Sequence, residues 1–263
     1  MFFSEDEKEL TDEYCRQGYV IRPVANRPAL EWIRERFVHL SSKILGSSNV
    51  DSSLNYLDDI HENVDVRELN QFRLSVINEI NAEPNLREQY FSLARPYLEA
   101  LVGNELAMQM RINVSIQLPS DDGSLLEVHA DTWSGDSAFE VVVWLPLVDC
   151  YGTKSMYIVT PERSRELDRT FAQKVGSNAE QFFESIANDA RWLDVRFGEV
   201  LVFDQSLPHG NRTNEELETR WSMNCRFKGI FTPYGDKKLG EFFEPISLRA
   251  ASKNGMNYRH PKI

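Results

Sequence analysis

The chain has 263 residues, 41% of them hydrophobic and 11% aromatic, a composition that is globular and excludes a largely disordered protein. Lysine and arginine number 29 against 41 aspartate and glutamate, and the net charge of −12 disfavours general binding to nucleic-acid backbones. Three widely spaced cysteines exclude a disulfide framework, and no apolar run is long enough to cross a membrane.

The first hundred residues carry helical patterns. Segment 28–45 has proline at its start and apolar residues every three or four positions, which predicts an amphipathic helix. Segments 66–80 and 85–102 show the same period, with Pro96 inside the second and Gly103 placed to end it. We therefore predict that residues 1–103 form a mainly helical support.

Beyond Gly103 the apolar period changes from 3.6 to 2. Segment 106–118 alternates in character, and runs rich in β-branched and aromatic residues follow at 125–130, 138–148, 155–160, 199–205 and 221–232. One helical insertion is predicted at about 173–190. Many short strands predict a double-stranded β-helix, or jelly roll, over residues 104–235. Because no linker is visible, we predict one α+β domain over residues 1–263, with packed N-terminal helices and a C-terminal extension at 236–263.

A candidate metal site begins with His129 and Asp131. In an extended chain, positions i and i+2 point to the same side, so an imidazole and a carboxylate can reach one ion. An H-x-D pair alone is common by chance, and a third donor is needed. Two histidines and one carboxylate leave three octahedral positions open, as in non-haem Fe(II) oxygenases.

The third donor is expected from one of the four other histidines. His209 follows a strand pattern and is the best placed of them. His39 lies in a predicted helix, and His61 lies in an acidic loop where its ring is expected to be solvated. His260 lies near the C-terminus.

An R-x-S pair, Arg220 and Ser222, lies beyond His209. Arginine stays charged when desolvated and grips a carboxylate with two hydrogen bonds, which suits the distal carboxylate of an iron-chelating 2-oxoglutarate. Alternation puts Ser222 on the same side, followed by Arg226 as a weaker candidate for holding substrate or cosubstrate. The alternative for Arg220 is a surface position at the start of a strand.

Six short motifs occur in order along the C-terminal two-thirds: VHADTW at 128–133, VVWLPL at 142–147, MYIVTP at 156–161, GEVLVF at 198–203, HGN at 209–211 and RWS at 220–222. The set resembles the phytanoyl-CoA dioxygenase-like superfamily of Fe(II)/2-oxoglutarate oxygenases. The resemblance implies that the H-x-D pair and the distal histidine bind Fe(II), and that Arg220 holds 2-oxoglutarate for a reaction with O₂. Segment 17–21 is similar to the family's short N-terminal strand. The chain departs from the family at 161–164, where PERS replaces the frequent Pro-Gly-Ser-His.

Segment 129–147 further resembles oxygenases found among polysaccharide and sugar biosynthesis genes. This implies hydroxylation of a small molecule, such as a sugar or nucleotide sugar, in polysaccharide or secondary-metabolite biosynthesis. Asp131 favours hydroxylation, because halogenating relatives leave that ligand position to a halide. Desaturation and epimerisation stay open, as does a non-catalytic jelly-roll ligand-binding protein. A cupin-type metal enzyme is disfavoured because such sites usually present more histidines.

Other polar and aromatic residues are weaker candidates. Asn113 and Gln117 are predicted to bind substrate or 2-oxoglutarate, with a solvated sheet face as the alternative. Trp133 is a candidate substrate contact, and Trp144 is expected in the core, with the pocket wall as the alternative. Glu140 is expected on the surface, and the alternative is that it orients a ligand histidine. We expect a cytoplasmic enzyme with a small-molecule substrate and neither a nucleic-acid nor a membrane partner. The acidic N-terminus is unlike a signal peptide, and assembly into a homo-oligomer stays open.

Overall fold

The computed structural model describes residues 2–46, 55–174 and 179–261. Its helices are α1 Glu5–Gln17, α2 Arg27–Ile44, α3 Leu69–Asn81, α4 Leu86–Leu101, α5 Pro161–Lys174, α6 Ala179–Ile186 and α7 Ala250–Asn257. Its strands are β1 Tyr19–Pro23, β2 Leu106–Gln109, β3 Asn113–Gln117, β4 Glu140–Pro146, β5 Tyr157–Val159, β6 Ala190–Trp192, β7 Glu199–Asp204, β8 His209–Gly210, β9 Arg220–Gly229 and β10 Phe243–Pro245.

The three helices predicted near the N-terminus are present as α2, α3 and α4, with small shifts at their ends. Residues 66–68 form a 3₁₀ turn before α3 rather than its first turn. Helix α1 was not predicted individually. It begins with a capping box, in which the amide of Glu7 donates to Ser4 Oγ and the amide of Ser4 donates to the Glu7 carboxylate. It ends at Gly18, which has a φ of +80°.

The larger sheet is antiparallel and has the order β1-β7-β4-β9-β2-β10, with β3 also paired to β9. The predicted strand 106–118 is interrupted at 110–112, so β2 and β3 pair separately with β9. The sheet also extends past the predicted core limits of 104 and 235. Strand β1 adds to one edge through β7, and β10 adds to the other through β2.

The smaller sheet contains β6, β5 and β8. Two predictions in this region were wrong. Segment 125–130 is not a strand, because its backbone contacts the 205–211 segment at widely spaced points and forms a single bridge between His129 and His209. The predicted helical insertion begins earlier, at Pro161, and comprises α5 and α6, while its residues 175–178 lie outside the described ranges.

Helices α2, α3 and α4 pack on one face of the larger sheet. Trp221 of β9 is fully buried there, with its ring edge-on to those of Phe37 and Phe72 at centroid distances of 5.8 and 6.2 Å. Tyr90 of α4 is also fully buried and donates a hydrogen bond to the Val143 carbonyl on β4. This packing leaves the opposite face of the sheet directed at the cavity described below.

The three cysteines are free thiols, as their spacing predicted. Cys15 is exposed, whereas Cys150 and Cys225 are buried. None of the helices within the described ranges combines the length and apolar character that a bilayer crossing requires.

Candidate metal centre and adjoining cavity

His129, Asp131 and His209 come together in one group. One donor atom from each side chain can be chosen so that all three lie within 4.8 Å of one another. Two backbone hydrogen bonds between His129 and His209, of 3.0 and 2.8 Å, bring the imidazole rings to a centroid distance of 4.4 Å. Ala130 is extended, with φ −118° and ψ 136°, so Asp131 projects to the same side as His129 although no regular strand forms.

Both imidazoles are held in the tautomer that a metal ligand needs. Nδ1 of His129 lies 2.8 Å from the carbonyl oxygen of Glu127, and Nδ1 of His209 lies 2.8 Å from that of Leu207. Because a carbonyl only accepts, each Nδ1 carries the proton and donates it. The unprotonated Nε2 of each ring is therefore left to bind a cation.

The electrostatic surroundings favour an ionised Asp131 and a neutral His209. Burial and the neighbouring His129 ring lower the pKa of His209 to about 4, so His209 is neutral at physiological pH. Burial alone would raise the pKa of Asp131, but contact with the His129 ring and the charge of Arg226 hold it well below its usual range. Burial works to lower the pKa of His129, but contact with Asp131 outweighs that effect and raises it. A neutral imidazole beside an ionised carboxylate is the state that coordinates a divalent metal.

The guanidinium of Arg226 pairs with the Asp131 carboxylate. Its Nη2 lies 2.8 Å from Oδ1, and its Nε donates to Oδ2 at 3.3 Å. Burial works to lower the pKa of Arg226, but its contacts with Asp131 outweigh that effect and raise the pKa. Its charge is thus engaged by the carboxylate of the metal group, and its assignment to substrate or cosubstrate stays a prediction.

A cavity of about 230 Å³ adjoins the metal group. Strand β9 forms one wall by alternation, because its even-numbered side chains from Arg220 to Arg226 face the cavity while the odd-numbered ones from Trp221 to Phe227 are buried toward the helices. The remaining wall comes from β3, β4, the smaller sheet and the loop before His129. The lining residues are Asn113, Ser115, Leu126, His129, Asp131, Val142, Trp144, Met156, His209, Gly210, Asn211, Arg220, Ser222, Asn224 and Arg226.

Arg220 lies on the wall of this cavity and is only 4% exposed. Its Nη1 donates to the carbonyl of Ser155 at 3.2 Å, and its Nη2 donates to Ser115 Oγ at 2.8 Å. Within the described ranges no carboxylate forms an ion pair with it, and its buried Nε has no hydrogen-bond partner. Burial lowers the pKa of Arg220 to about 10, so the guanidinium remains charged at neutral pH. The alternative of a surface arginine is excluded.

Two other predicted cosubstrate residues line the same cavity. Ser222 is buried beside Arg220 on β9, as the R-x-S spacing indicated. Asn113 is exposed, and its Nδ2 donates to Oδ1 of Asn224 at 2.9 Å. Asn224 was missed by the sequence analysis, although the alternation that selected Ser222 and Arg226 passes through it.

The predicted contact of Gln117 with substrate or 2-oxoglutarate does not agree with its position. It is fully buried and absent from the cavity lining, and its Nε2 donates to the backbone carbonyls of Arg212 and Asp121 at 2.8 and 3.3 Å. Alternation placed it on the same side of β3 as Asn113. Gln117 pairs with Arg220 at the end of β3. At that point its side chain donates to backbone carbonyls of the neighbouring loops.

The tryptophans have different surroundings. Trp133 is half-buried in the 3₁₀ turn Asp131–Ser134, where its ring contacts Phe182 of α6 at a centroid distance of 5.9 Å. It is not part of the described cavity lining, so the predicted substrate contact is not supported. Trp144 is buried in the core as expected, and it also forms part of the cavity wall.

Two polar residues that were expected to be exposed to solvent are buried or half-buried. Glu140 is 2% exposed and accepts hydrogen bonds from Gln205 and the amide of Ser137. His61 is half-buried, with its Nδ1 3.0 Å from Thr219 Oγ1 and 3.1 Å from the carbonyl of Asp58. His39, by contrast, is exposed on α2 as predicted.

No family model and no curated protein matches this sequence. Solved structures do match. They include the non-heme monooxygenase ThoJ in complex with nickel, 14% identical with a TM-score of 0.52 over 92% of this chain and 85% of that one. HygX from Streptomyces hygroscopicus matches over 90% of this chain and 91% of that one. Its iron-bound structure is 13% identical with a TM-score of 0.52. Its structure with nickel and 2-oxoglutarate is 12% identical with a TM-score of 0.51.

At these identities the similarity shows a shared fold. The jelly-roll core with packed helices that the sequence predicted is therefore confirmed. The chemistry of the chain depends on its own side chains rather than on the fold.

Proposed function

We propose that this protein is an Fe(II)- and 2-oxoglutarate-dependent dioxygenase that hydroxylates a small molecule. The proposal depends most on one observation: a buried arginine without a carboxylate partner among the described residues lines the same cavity as a metal-binding group. A buried unpaired charge is costly, so Arg220 favours an anion supplied by a ligand. The bound 2-oxoglutarate in the HygX structure is consistent with a fold that holds such a ligand.

The donor set fits Fe(II). Two imidazoles and one carboxylate are the ligands of non-haem Fe(II) oxygenases, and they leave coordination positions for other ligands. When bound, iron and 2-oxoglutarate together supply the power to activate O₂ and oxidise a C–H bond. The chain's own contribution is to fix Nε2 of both histidines and one carboxylate toward a single point.

Arg220 is proposed to hold the distal carboxylate of 2-oxoglutarate. Its guanidinium is fixed by the Ser155 carbonyl and Ser115 Oγ, which presents its remaining donors without further loss of side-chain freedom. Ser222 adds a hydroxyl on the same face. Val142, Trp144 and Met156 give this part of the wall an apolar surface that limits water around the ion pair.

For the substrate we propose a hydroxyl-rich molecule such as a sugar or nucleotide sugar. The support is the polar part of the cavity wall, where the side-chain amides of Asn113 and Asn224 lie beside each other. An amide both donates and accepts hydrogen bonds, as a sugar hydroxyl does. This class also agrees with the resemblance of segment 129–147 to oxygenases of carbohydrate biosynthesis.

The test is reconstitution of the purified protein with Fe(II) and 2-oxoglutarate without oxygen, followed by air and a panel of sugars and nucleotide sugars. We expect 2-oxoglutarate to be converted to succinate, faster with one substrate class than without substrate. The product mass identifies the reaction: one added oxygen for hydroxylation, two lost hydrogens for desaturation, and no change for epimerisation. Absence of both 2-oxoglutarate binding and succinate formation would refute the proposal.

A further inference from the structure

Gln205 lies directly after β7, where its backbone contacts Asp131 and its side chain contacts Arg226. Its backbone carbonyl accepts a hydrogen bond from the amide of Asp131 at 3.0 Å. Its side-chain Oε1 accepts one from Arg226 Nε, also at 3.0 Å, and Arg226 in turn pairs with the Asp131 carboxylate. Gln205 itself is fully buried and is not among the described residues that line the cavity.

The amide of Gln205 has one orientation. Its Nε2 donates to the carbonyl of Ser137 and to Oε2 of Glu140, both at 3.0 Å. Because the Ser137 carbonyl only accepts, the nitrogen must be on that side and the oxygen must face Arg226. Glu140 is fixed in turn by the amide of Ser137, which donates to its Oε1 at 3.1 Å. The order of the contacts is therefore Glu140, Gln205, Arg226, Asp131.

This arrangement fixes the plane of the Asp131 carboxylate. Arg226 contacts both oxygens, at 2.8 and 3.3 Å, and Gln205 determines where the guanidinium lies. All the side chains concerned are buried or half-buried, so solvent does not replace these bonds freely. Partners that orient a ligand in this way typically change metal affinity by about 10- to 100-fold.

We infer that Gln205 is a positioning residue for the metal-binding carboxylate, acting on Asp131 through Arg226 and through its own backbone. The inference rests on the proposed function only in taking His129, Asp131 and His209 as the metal ligands. It requires no cosubstrate, so metal binding tests it separately from turnover.

The first test is the metal affinity of Gln205→Leu, measured by anaerobic titration with Fe(II) and with Mn(II). We expect the Kd to rise about 10- to 100-fold, with a smaller change in Tm than a disrupted core would cause. Gln117→Leu is a matched control, because Gln117 is equally buried and also donates to backbone carbonyls. We expect its metal affinity to be unchanged. Equal Kd values for Gln205→Leu and the wild type would overturn the inference.

The second test is rescue, which also decides the matter if Gln205→Leu does not fold. Gln205→Glu puts a carboxylate against Glu140, and we expect weaker metal binding. Adding Glu140→Gln restores a carboxylate–amide contact with the partners exchanged and leaves an oxygen facing Arg226, although the bond from residue 205 to the Ser137 carbonyl stays lost. Metal affinity should then rise above that of Gln205→Glu without reaching that of the wild type. A double variant no better than Gln205→Glu would contradict the inference.

The two hypotheses fail in different ways. If the wild type converts 2-oxoglutarate and Gln205→Leu binds metal equally well, only the positioning role is wrong. If the Kd changes as expected but neither protein binds 2-oxoglutarate, the positioning role stands and the proposed function fails.

Discussion

Arg220 and Arg226 occupy the same face of the same strand, yet their surroundings differ. Arg226 forms an ion pair with Asp131 at 2.8 Å, and this carboxylate raises its pKa against the effect of burial. Arg220 is more deeply buried, has no carboxylate partner within the described ranges, and has its pKa lowered to about 10. In the described part of the chain, the protein therefore neutralises one of the two cations with its own carboxylate and does not neutralise the other.

This difference separates two functions within one cavity. At the Arg226 end, the charge belongs to the metal group and stabilises the folded chain before any ligand binds. At the Arg220 end, desolvation of the cation is already complete, so a carboxylate that reaches it gains a strong interaction. Four experiments test this difference between the Arg226 end and the Arg220 end of the cavity.

The largest effect is expected when the metal group is removed. His129→Ala or Asp131→Ala should abolish Fe(II) binding and succinate formation, because a donor set reduced to two leaves the ion weakly held. Metal content and succinate yield are the measurements. His39→Ala is the matched control, since His39 is exposed on α2 and should have no effect. Normal turnover in either site variant would disprove the metal group.

The next largest effect is expected on the binding of 2-oxoglutarate. Arg220→Leu should weaken 2-oxoglutarate binding by about 100- to 1000-fold, because it removes one member of a buried charge pair. Calorimetric titration with a redox-inert metal such as Ni(II) in the site measures this directly. Arg220→Lys should recover part of the affinity, since the charge remains but the two-pronged geometry is lost. Unchanged affinity in Arg220→Leu would assign the cosubstrate to another residue.

The third effect is a difference between the two arginines in thermal stability, measured without metal or cosubstrate. Arg226→Leu leaves the Asp131 charge buried without its cation and should lower Tm by on the order of 5–10 °C. Arg220→Leu removes a cation that lacks a carboxylate partner in the described structure, so Tm should stay equal or rise. Differential scanning fluorimetry measures both. Shifts of the same sign and size would mean that the two arginines do not differ as described.

The smallest effect is a pH dependence confined to the metal end. The folded protein lowers the pKa of His209 from 6.5 to about 4, so the unfolded chain binds a proton more readily between these values. Stability of the metal-free protein should therefore fall as the pH drops, by about 2 kcal/mol between pH 6.5 and 4.5 from this residue. Denaturant titrations of the wild type and His209→Gln isolate the term. A variant with the same pH dependence as the wild type would contradict it.

The sequence located structural elements and site residues correctly where a hydrophobic period, or a residue type that occurs only a few times, left few possible positions. Alternation along 221–232 located β9 and its inward face, and helical periods located α2 to α4. The metal group was found because the chain has five histidines and the other three lie in unsuitable positions. Periodicity reports which side a residue faces, and this information placed Ser222 correctly.

Periodicity does not report what a residue meets on that side. Arg226 faces the cavity as expected, but its ion pair with Asp131 depends on a loop that packs across from a distant part of the sequence. Gln117 faces inward beyond the end of the cavity, and Glu140 is buried by contacts with Gln205 and Ser137. Segment 17–21 was identified as a strand by resemblance, but neither β1 nor β10 was placed in the core, because strand partners distant in sequence carry no local signal.

Residues 220–227 of β9 divide between two tasks. Trp221, Met223, Cys225 and Phe227 are fully buried in the helix-packed core, while the residues between them form the cavity wall. A substitution at Asn224 would therefore change the cavity surface without disturbing the hydrophobic layer. A one-residue insertion within the strand would have the opposite consequence, exchanging the two sets and losing stability and chemistry in a single event.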